Sequence, residues 1–268
     1  MTDRDERARS AYREVASPPH LRDHVVCFWH RPGGAPASSA RILPDGCIDV
    51  LWIDDQSPVI AGPMSVSIVP ATPAGVNIIG VRLRPGAAST LLGISARELL
   101  DQHVLLRDIW PRDRHQPWAE AAIGDDLSTR IETISAAMGS RLERVAPPDP
   151  FVSDAARWIA AHPSRGVEAL IRLAGLSARQ IRRRFDDAIG YSPKKLQRIL
   201  RLQRFLWLAS QEDIAGRSLA GLSFAAGYAD QPHMTREVVA LAGVTPTRLL
   251  LGPDPASAVS VLFKTPPR

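Results

Sequence analysis

The chain has 268 residues, 45% hydrophobic and 23% charged, a folded-protein composition with room for one large domain or two ordinary ones. The formal charge of +5 is unevenly spread: residues 1–150 carry 16 Lys and Arg against 19 Asp and Glu, whereas residues 151–252 carry 15 against 8, so a polyanion partner is expected only in the second half. Two cysteines, Cys27 and Cys47, exclude a disulfide scaffold, and with no long apolar run and a polar start the expected setting is the cytoplasm, away from membranes.

The first ten residues are expected to be loose. After them come short apolar runs punctuated by Pro and Gly: HVVCFWH, CIDVLWI, PVIAGP, VSIVP and VNIIGVRLRPG. Runs of this length and β-branched content predict strands, hence a β-rich barrel or sandwich to about residue 110. GAASTLLG predicts a short helix. SARELL (95–100) starts another with the Ser…Glu spacing of a capping box, and residues 116–144 predict one helical arm.

His20, His24, Cys27 and His30 have a ligand-like spacing. Strand alternation, however, sets Cys27 on the face opposite His24 and His30, so no metal and no cofactor is expected. Neither cysteine has a neighbouring basic cluster to activate its thiol. Trp29, Trp52 and Arg82 are candidates for the wall of a pocket for an anionic or polar effector, although both tryptophans fit core packing as well. Asp45, in LPDGC, fits a turn. There is no phosphate-binding glycine loop, HExxH or GxSxG, so an enzyme is not expected.

RVAPPDP (144–150) predicts a linker. The division is therefore 1–144 for an effector-binding or dimerisation domain, 145–150 for the linker, 151–252 for a helical domain and 253–268 for a tail that alternates enough to form a strand. Val167, Leu170, Ile171 and Ala174 share a helix face; Gly175 then stops that helix. Ser177 caps the next, with Gln180 completing a capping box. Ile181, Phe185 and Ile189 form the second helix's core side and leave Arg179, Arg182 and Arg183 outside it. Two short helices across a glycine turn, the second with an exposed basic face, make a helix-turn-helix whose second helix can enter the major groove.

The plan recurs. Ser218, Leu219, Leu222 and Ala226 lead to Gly227, and a new helix starts at Asp230 with Met234, Val238 and Leu241 inward. Gln231, His233, Thr235 and Arg236 are its groove-facing candidates. Between the copies Ser192 and Pro193 open a helix of about 17 residues and roughly 26 Å, enough to hold two reading helices near successive major grooves. Lys194, Lys195, Arg198 and Arg201 on it are the candidates for phosphate contact.

AGLSARQIRRRFDDAIGYSPKKLQRILRLQRFL and GYADQPHMTREVVALAGVTPTRLL resemble the AraC/XylS family of bacterial transcription regulators across about 150–251. That resemblance implies base contacts from Arg179, Arg182 and Arg183 in the first reading helix, and from Gln231, His233, Thr235 and Arg236 in the second. Val238 stands where the family usually has an aromatic residue, and Pro232 where a polar residue or alanine is usual. The stretches HLRDHVVCFWHR, RILPDGCIDVLW, VIAGPM and GVRLRPGAASTLLG resemble the N-terminal domain often joined to such regulators, a cupin-like sensor or dimerisation module. The expected protein is thus α+β, a sequence-specific regulator of transcription. Its partners are double-stranded DNA, RNA polymerase, a small-molecule effector and a second copy of itself. Two alternatives stand beside this: a ligand-independent regulator whose front half only dimerises, and a cysteine-based alkyl acceptor.

Overall fold

A computed structural model describes residues 12–54, 56–123, 126–211 and 218–251. The expectations for the first ten residues and for a strand in the tail lie outside this set.

The front half forms one antiparallel sheet of six strands in the order β1-β2-β5-β3-β4-β6. The strands are β1 (Arg13–Ala16), β2 (Val25–Arg31), β3 (Ile48–Ile53), β4 (Val59–Ala61), β5 (Ile78–Leu83) and β6 (His103–Leu105). Alternation sends Phe28, Val50, Trp52, Ile79 and Val81 to one face, where all are buried. That face is covered by α1 (Ala88–Leu92), the single-turn α2 (Leu106–Ile109), α3 (Arg112–Ala121) and α4 (Leu127–Leu142). Two buried indoles are bonded here: Trp52 Nε1–H ties the sheet to α3 through the Trp118 carbonyl (2.7 Å), and Trp110 Nε1–H, at the end of α2, ties that helix to α1 through the carbonyl of Leu92 (2.6 Å). A buried indole needs such an acceptor to offset its desolvation.

Two local expectations change. SARELL is a chain of turns closed by i→i+3 bonds, among them Glu98 N to Ser95 O (3.0 Å) and Leu99 N to Ala96 O (3.2 Å). Ser95 Oγ still accepts from Arg97 N (3.4 Å), while the Ala96 N–H, which a helix start would leave without an internal partner, donates to the Asp187 carbonyl of the C-terminal half (2.8 Å). The expected single arm is two helices, α3 and α4, and α4 has its own cap: Asp126 accepts from Thr129 N.

On the opposite face of the sheet Trp29 lies over Gly80 and donates its Nε1–H to Asp49 Oδ2 (2.9 Å). A Cβ at position 80 would meet the indole ring at 2.0 Å, so the glycine is what lets the ring lie flat. Arg82 joins the same layer, 3.1 Å from Asp49 and 3.5 Å from Asp45. Cys27 and Cys47 are buried and free. Cys27 sits on β2 and Cys47 leads into β3, with β5 between the two strands. Two strand spacings of about 4.8 Å exceed the roughly 7 Å Cα separation that a disulfide tolerates, so the two thiols cannot be joined to each other.

The C-terminal half holds seven helices among the described residues: α5 (Pro150–Ala161), α6 (Val167–Ala174), α7 (Ala178–Ile189), α8 (Pro193–Ser210), α9 (Leu219–Ala226), α10 (Gln231–Ala242) and α11 (Pro246–Leu250). The end of the predicted linker is already a helix start, since Asp149 caps α5 and Pro150 takes its first position. The long α8 runs through the centre of the core. Leu196, Ile199, Leu200, Leu202, Phe205 and Leu206 are all buried, and helices of both predicted helix-turn-helix units pack on them.

Gly80→Ala is expected to lower stability by about 1–3 kcal/mol, because the added methyl must displace the Trp29 indole. Urea unfolding followed by tryptophan fluorescence reads this, and an unchanged midpoint would contradict the packing described.

Candidate nucleic-acid interface

The first unit is built as its sequence dictates. Gly175 has a left-handed φ of 62° and ends α6. Ser177 Oγ accepts from Gln180 N (3.3 Å), while Gln180 Oε1 accepts from Ser177 N (2.9 Å), the reciprocal bonds of a capping box. With Ile181, Phe185 and Ile189 buried, Arg179, Arg182 and Arg183 are left exposed on α7. Arg182 Nε lies 3.5 Å from Asp186 Oδ2, a surface pair of little weight against a phosphate or base.

The fourth arginine, Arg184, has a different task. It makes a two-pronged bond to Asp149, at 2.6 and 2.5 Å, with its guanidinium 4.8 Å from the Phe151 ring. Burial works against the Asp149 anion, but Arg184 and the Val152 and Phe151 amides outweigh it and hold the carboxyl below its ordinary range. The sequence signal for this pair was the Asp-Pro helix start, which the linker reading absorbed. A cleft of about 390 Å³ lies alongside, where Ser89 and Thr90 of α1 face Arg183, Arg184 and Asp187.

The second unit follows the same logic. Gly227 turns with φ at 92°, and Asp230 caps α10 by accepting from His233 N (2.6 Å). Met234, Val238 and Leu241 are fully buried, so the aliphatic residue at 238 fills the core. Gln231 and Arg236 are exposed, while His233 and Thr235 are half-buried. His233 Nδ1 accepts from Ala229 N (3.3 Å), which leaves Nε2 facing Glu237, 3.5 Å from its Oε1.

The four candidate phosphate cations of α8 separate. Lys194 is exposed, and Lys195 is half-buried with its pKa lowered, first by burial and then by Arg198. Arg198 Nε donates to Glu237 Oε1 (2.9 Å). Arg201 is turned inward: its side chain is 13% exposed, Nε donates to the Pro163 carbonyl (2.7 Å), and the guanidinium lies 5.9 Å from the Tyr228 ring. Helical spacing alone does not reveal these acceptors, because they come from other segments.

The effector trio does not converge. Trp29 and Arg82 are on one face of the sheet, while Trp52 is in the core on the other. Arg82 remains charged: burial opposes this, and Asp49 and Asp45 more than offset it. The histidines also have separate places. His30 Nε2 meets Asn77 Oδ1 at 2.7 Å and His20 packs beside Gly139; no cluster of three metal-ligating side chains occurs among the described residues. Burial, chiefly, pushes the Cys27 thiol up to about 12 and Cys47 well above its usual value, which argues against the alkyl-acceptor alternative.

Contacts between the halves were not legible in the sequence. Ser67 N and Oγ donate to the Leu241 and Ala242 carbonyls at the end of α10 (2.7 and 2.9 Å), and Gln203 Nε2 of α8 donates to the Pro44 carbonyl (3.0 Å). Gly190 ends α7 with φ at 94°, and a Cβ there would meet the Ala96 carbonyl at 2.8 Å.

Residues 170–251 match a family model described as a helix-turn-helix domain. The chain carries an AraC-type helix-turn-helix domain. Residues 13–105 match a second model, described as a domain of unknown function, DUF6597. No curated protein matches the chain. Among solved structures the chain is similar to ToxT from Vibrio cholerae O395, at 9% identity and a TM-score of 0.45, covering 89% of this chain and 96% of that one. A second ToxT structure from Vibrio cholerae gives 11% identity and 0.45 over 90% and 98%; a third, of ToxT bound to an unsaturated fatty acid, gives 10% and 0.43 over 83% and 93%. No helix among the described residues is long and apolar enough to cross a membrane.

Two expectations follow. Asp149→Asn is expected to cost about 1–2 kcal/mol at neutral pH, since it weakens the α5 cap and the Arg184 pair. Because the folded Asp149 pKa is depressed, its contribution is present above the ordinary carboxylate range and fades as pH falls through the folded value. Melting curves from pH 7 to 3 should therefore show the wild type and the variant converging in acid; a constant gap would contradict the linkage. Both cysteines should resist iodoacetamide at pH 8 in the folded protein and react on denaturation, as read by mass spectrometry. Rapid alkylation of the native chain would contradict their burial.

Proposed function

We propose that this protein is a sequence-specific DNA-binding regulator of transcription whose α7 and α10 enter the major groove of one duplex. One observation carries the reading: on α7 the capping box and the buried Ile181–Phe185–Ile189 stripe leave Arg179, Arg182 and Arg183 exposed, with none held in a buried ion pair. Arginine in the first turns of such a helix can bond guanine with two donors. In this reading Arg179, Arg182 and Arg183 read one segment, and Gln231, His233, Thr235 and Arg236 read the next. Lys194 and Lys195 meet phosphates. Arg198 and Arg201 drop to a structural role, because acceptors within the chain already engage them.

The domain division in this reading is 1–144 and 151–252, with Asp149 and Pro150 of the linker forming the start of α5. The N-terminal unit takes a small-molecule effector or joins two copies, and the DNA-bound protein acts on RNA polymerase. One observation favours the version without an effector: Arg82, the cation of the expected pocket, is already neutralised by Asp49 and Asp45. Calorimetry against anionic and polar metabolites separates the two, since heat of binding supports the sensor and its absence supports the dimerising module.

Arg183→Ala is expected to lose about 1–3 kcal/mol on the cognate site and to relax preference at one base pair. Lys194→Ala should weaken all sequences alike and reduce the slope of log K against log salt by about 0.9. Binding to a panel of single-base operator variants reads both, and equal losses on every sequence for both substitutions would contradict the assignment.

A further inference from the structure

The carboxylate of Glu237 stands where a reading helix meets the central helix, and three cationic or ionisable side chains converge on it. Arg198 Nε is 2.9 Å from Oε1, His233 Nε2 is 3.5 Å from the same oxygen, and Arg201 Nη1 is 3.8 Å from Oε2. The Glu237 side chain is only 13% exposed. Its Oε2 is buried without a hydrogen bond, so the anion is held by charge from α8 more than by local bonding. Leaving such a carboxylate in a half-dry site would be unfavourable without those cations.

The position of this cluster matters as much as its geometry. His233 is in the first turn of α10, the end that a helix-turn-helix points toward base edges. Arg198 shares an oxygen with it, so Arg198 sits one carboxylate's width from the surface assigned to DNA. A guanidinium there, free to turn outward, would meet phosphate on any sequence. Glu237 gives it a closer acceptor.

We infer that Glu237 is a specificity-determining residue: it holds Arg198 out of reach of the phosphate backbone and orients His233, so that the second unit contributes base reading with little sequence-blind attraction. This rests on the reading that α10 faces DNA. Arg201, bonded to Pro163 and stacked on Tyr228, stays in place without Glu237, whereas Arg198, with 30% of its side chain exposed, is the group released.

The test uses the full chain on random-sequence duplex and on its operator, with Glu237→Gln and Glu237→Ala. Both should bind random duplex severalfold more tightly near 0.1 M salt, with a salt slope steeper by about 0.9, one phosphate's worth. The operator-to-random ratio should fall severalfold. Adding Arg198→Ala to either variant should restore the wild-type slope. An unchanged slope and ratio in both single variants would overturn the inference, as would a steeper slope that survives Arg198→Ala. Glu237→Gln keeps the side-chain shape, so it decides the matter where the alanine variant does not fold. A wild-type protein that binds no duplex in a salt-dependent way would instead remove the reading beneath it.

Discussion

Burial of a single helix holds the C-terminal half together. Helix α8 is 18 residues long, and its apolar side chains are shared by helices from both helix-turn-helix units, so neither unit has a separate core. Its polar side chains serve the same end by reaching carbonyls that the turns leave open. Gln197 and Arg201 bond the Pro163 carbonyl, and Arg204 bonds that of Ala225 at the end of α9 (3.0 Å). An unpaired buried carbonyl costs about 1–3 kcal/mol, so these bonds fix the turns as firmly as the leucines fix the helices. Two short helices mounted on one rod in this way keep a constant separation, which a duplex with a constant pitch requires.

The N-terminal unit adds to this constraint. It reaches the last turn of α7 through Ala96, the last turn of α10 through Ser67, and α8 through Pro44. Each contact satisfies a backbone carbonyl or a buried amide, and those on α7 and α10 are at the C-terminal ends. The capped first turns, with Arg179 on α7 and Gln231 on α10, are exposed, while Arg183 borders the cleft opposite Ser89 and Thr90. The polar layer of Trp29, Asp49, Arg82 and Asp45 lies next to the Gly46 turn, where an added Cβ would touch Leu196 of α8 at 3.0 Å, so this turn leaves little room for a side chain against the central helix.

Much of the C-terminal half was readable from residue order, because its signals are local. Ser177, Ser192, Ser218, Asp230 and Thr245 all cap the helices that follow them, and Gly175, Gly190, Gly227 and Gly243 all end helices in the left-handed region. Four of the six strands, β2 to β5, were legible from their β-branched runs; β1 and β6 were not, and VSIVP makes only an isolated bridge, Ile68 to Ile42, instead of the expected strand. The strand order was not legible, because the pairing of β5 between β2 and β3 depends on long connections. The site was legible only in part. Exposure of Arg179, Arg182 and Arg183 follows from helical period; the removal of Arg184, Arg198 and Arg201 from the exposed set does not. Their partners Asp149, Glu237 and Pro163 lie 35 to 39 positions away in sequence. SARELL forms turns and not a helix, and residue order does not show the Asp187 carbonyl that its Ala96 amide meets.

The central claim is that two helices on one rigid rod address neighbouring turns of the same duplex face. Methylation protection of guanine N7 on an operator tests it most directly, since that atom is in the major groove. The account predicts two protected clusters, centred about 10–10.5 base pairs apart on one face of the duplex, for a single copy of the chain. A single protected cluster per bound copy, or two on opposite faces of the duplex, would contradict it.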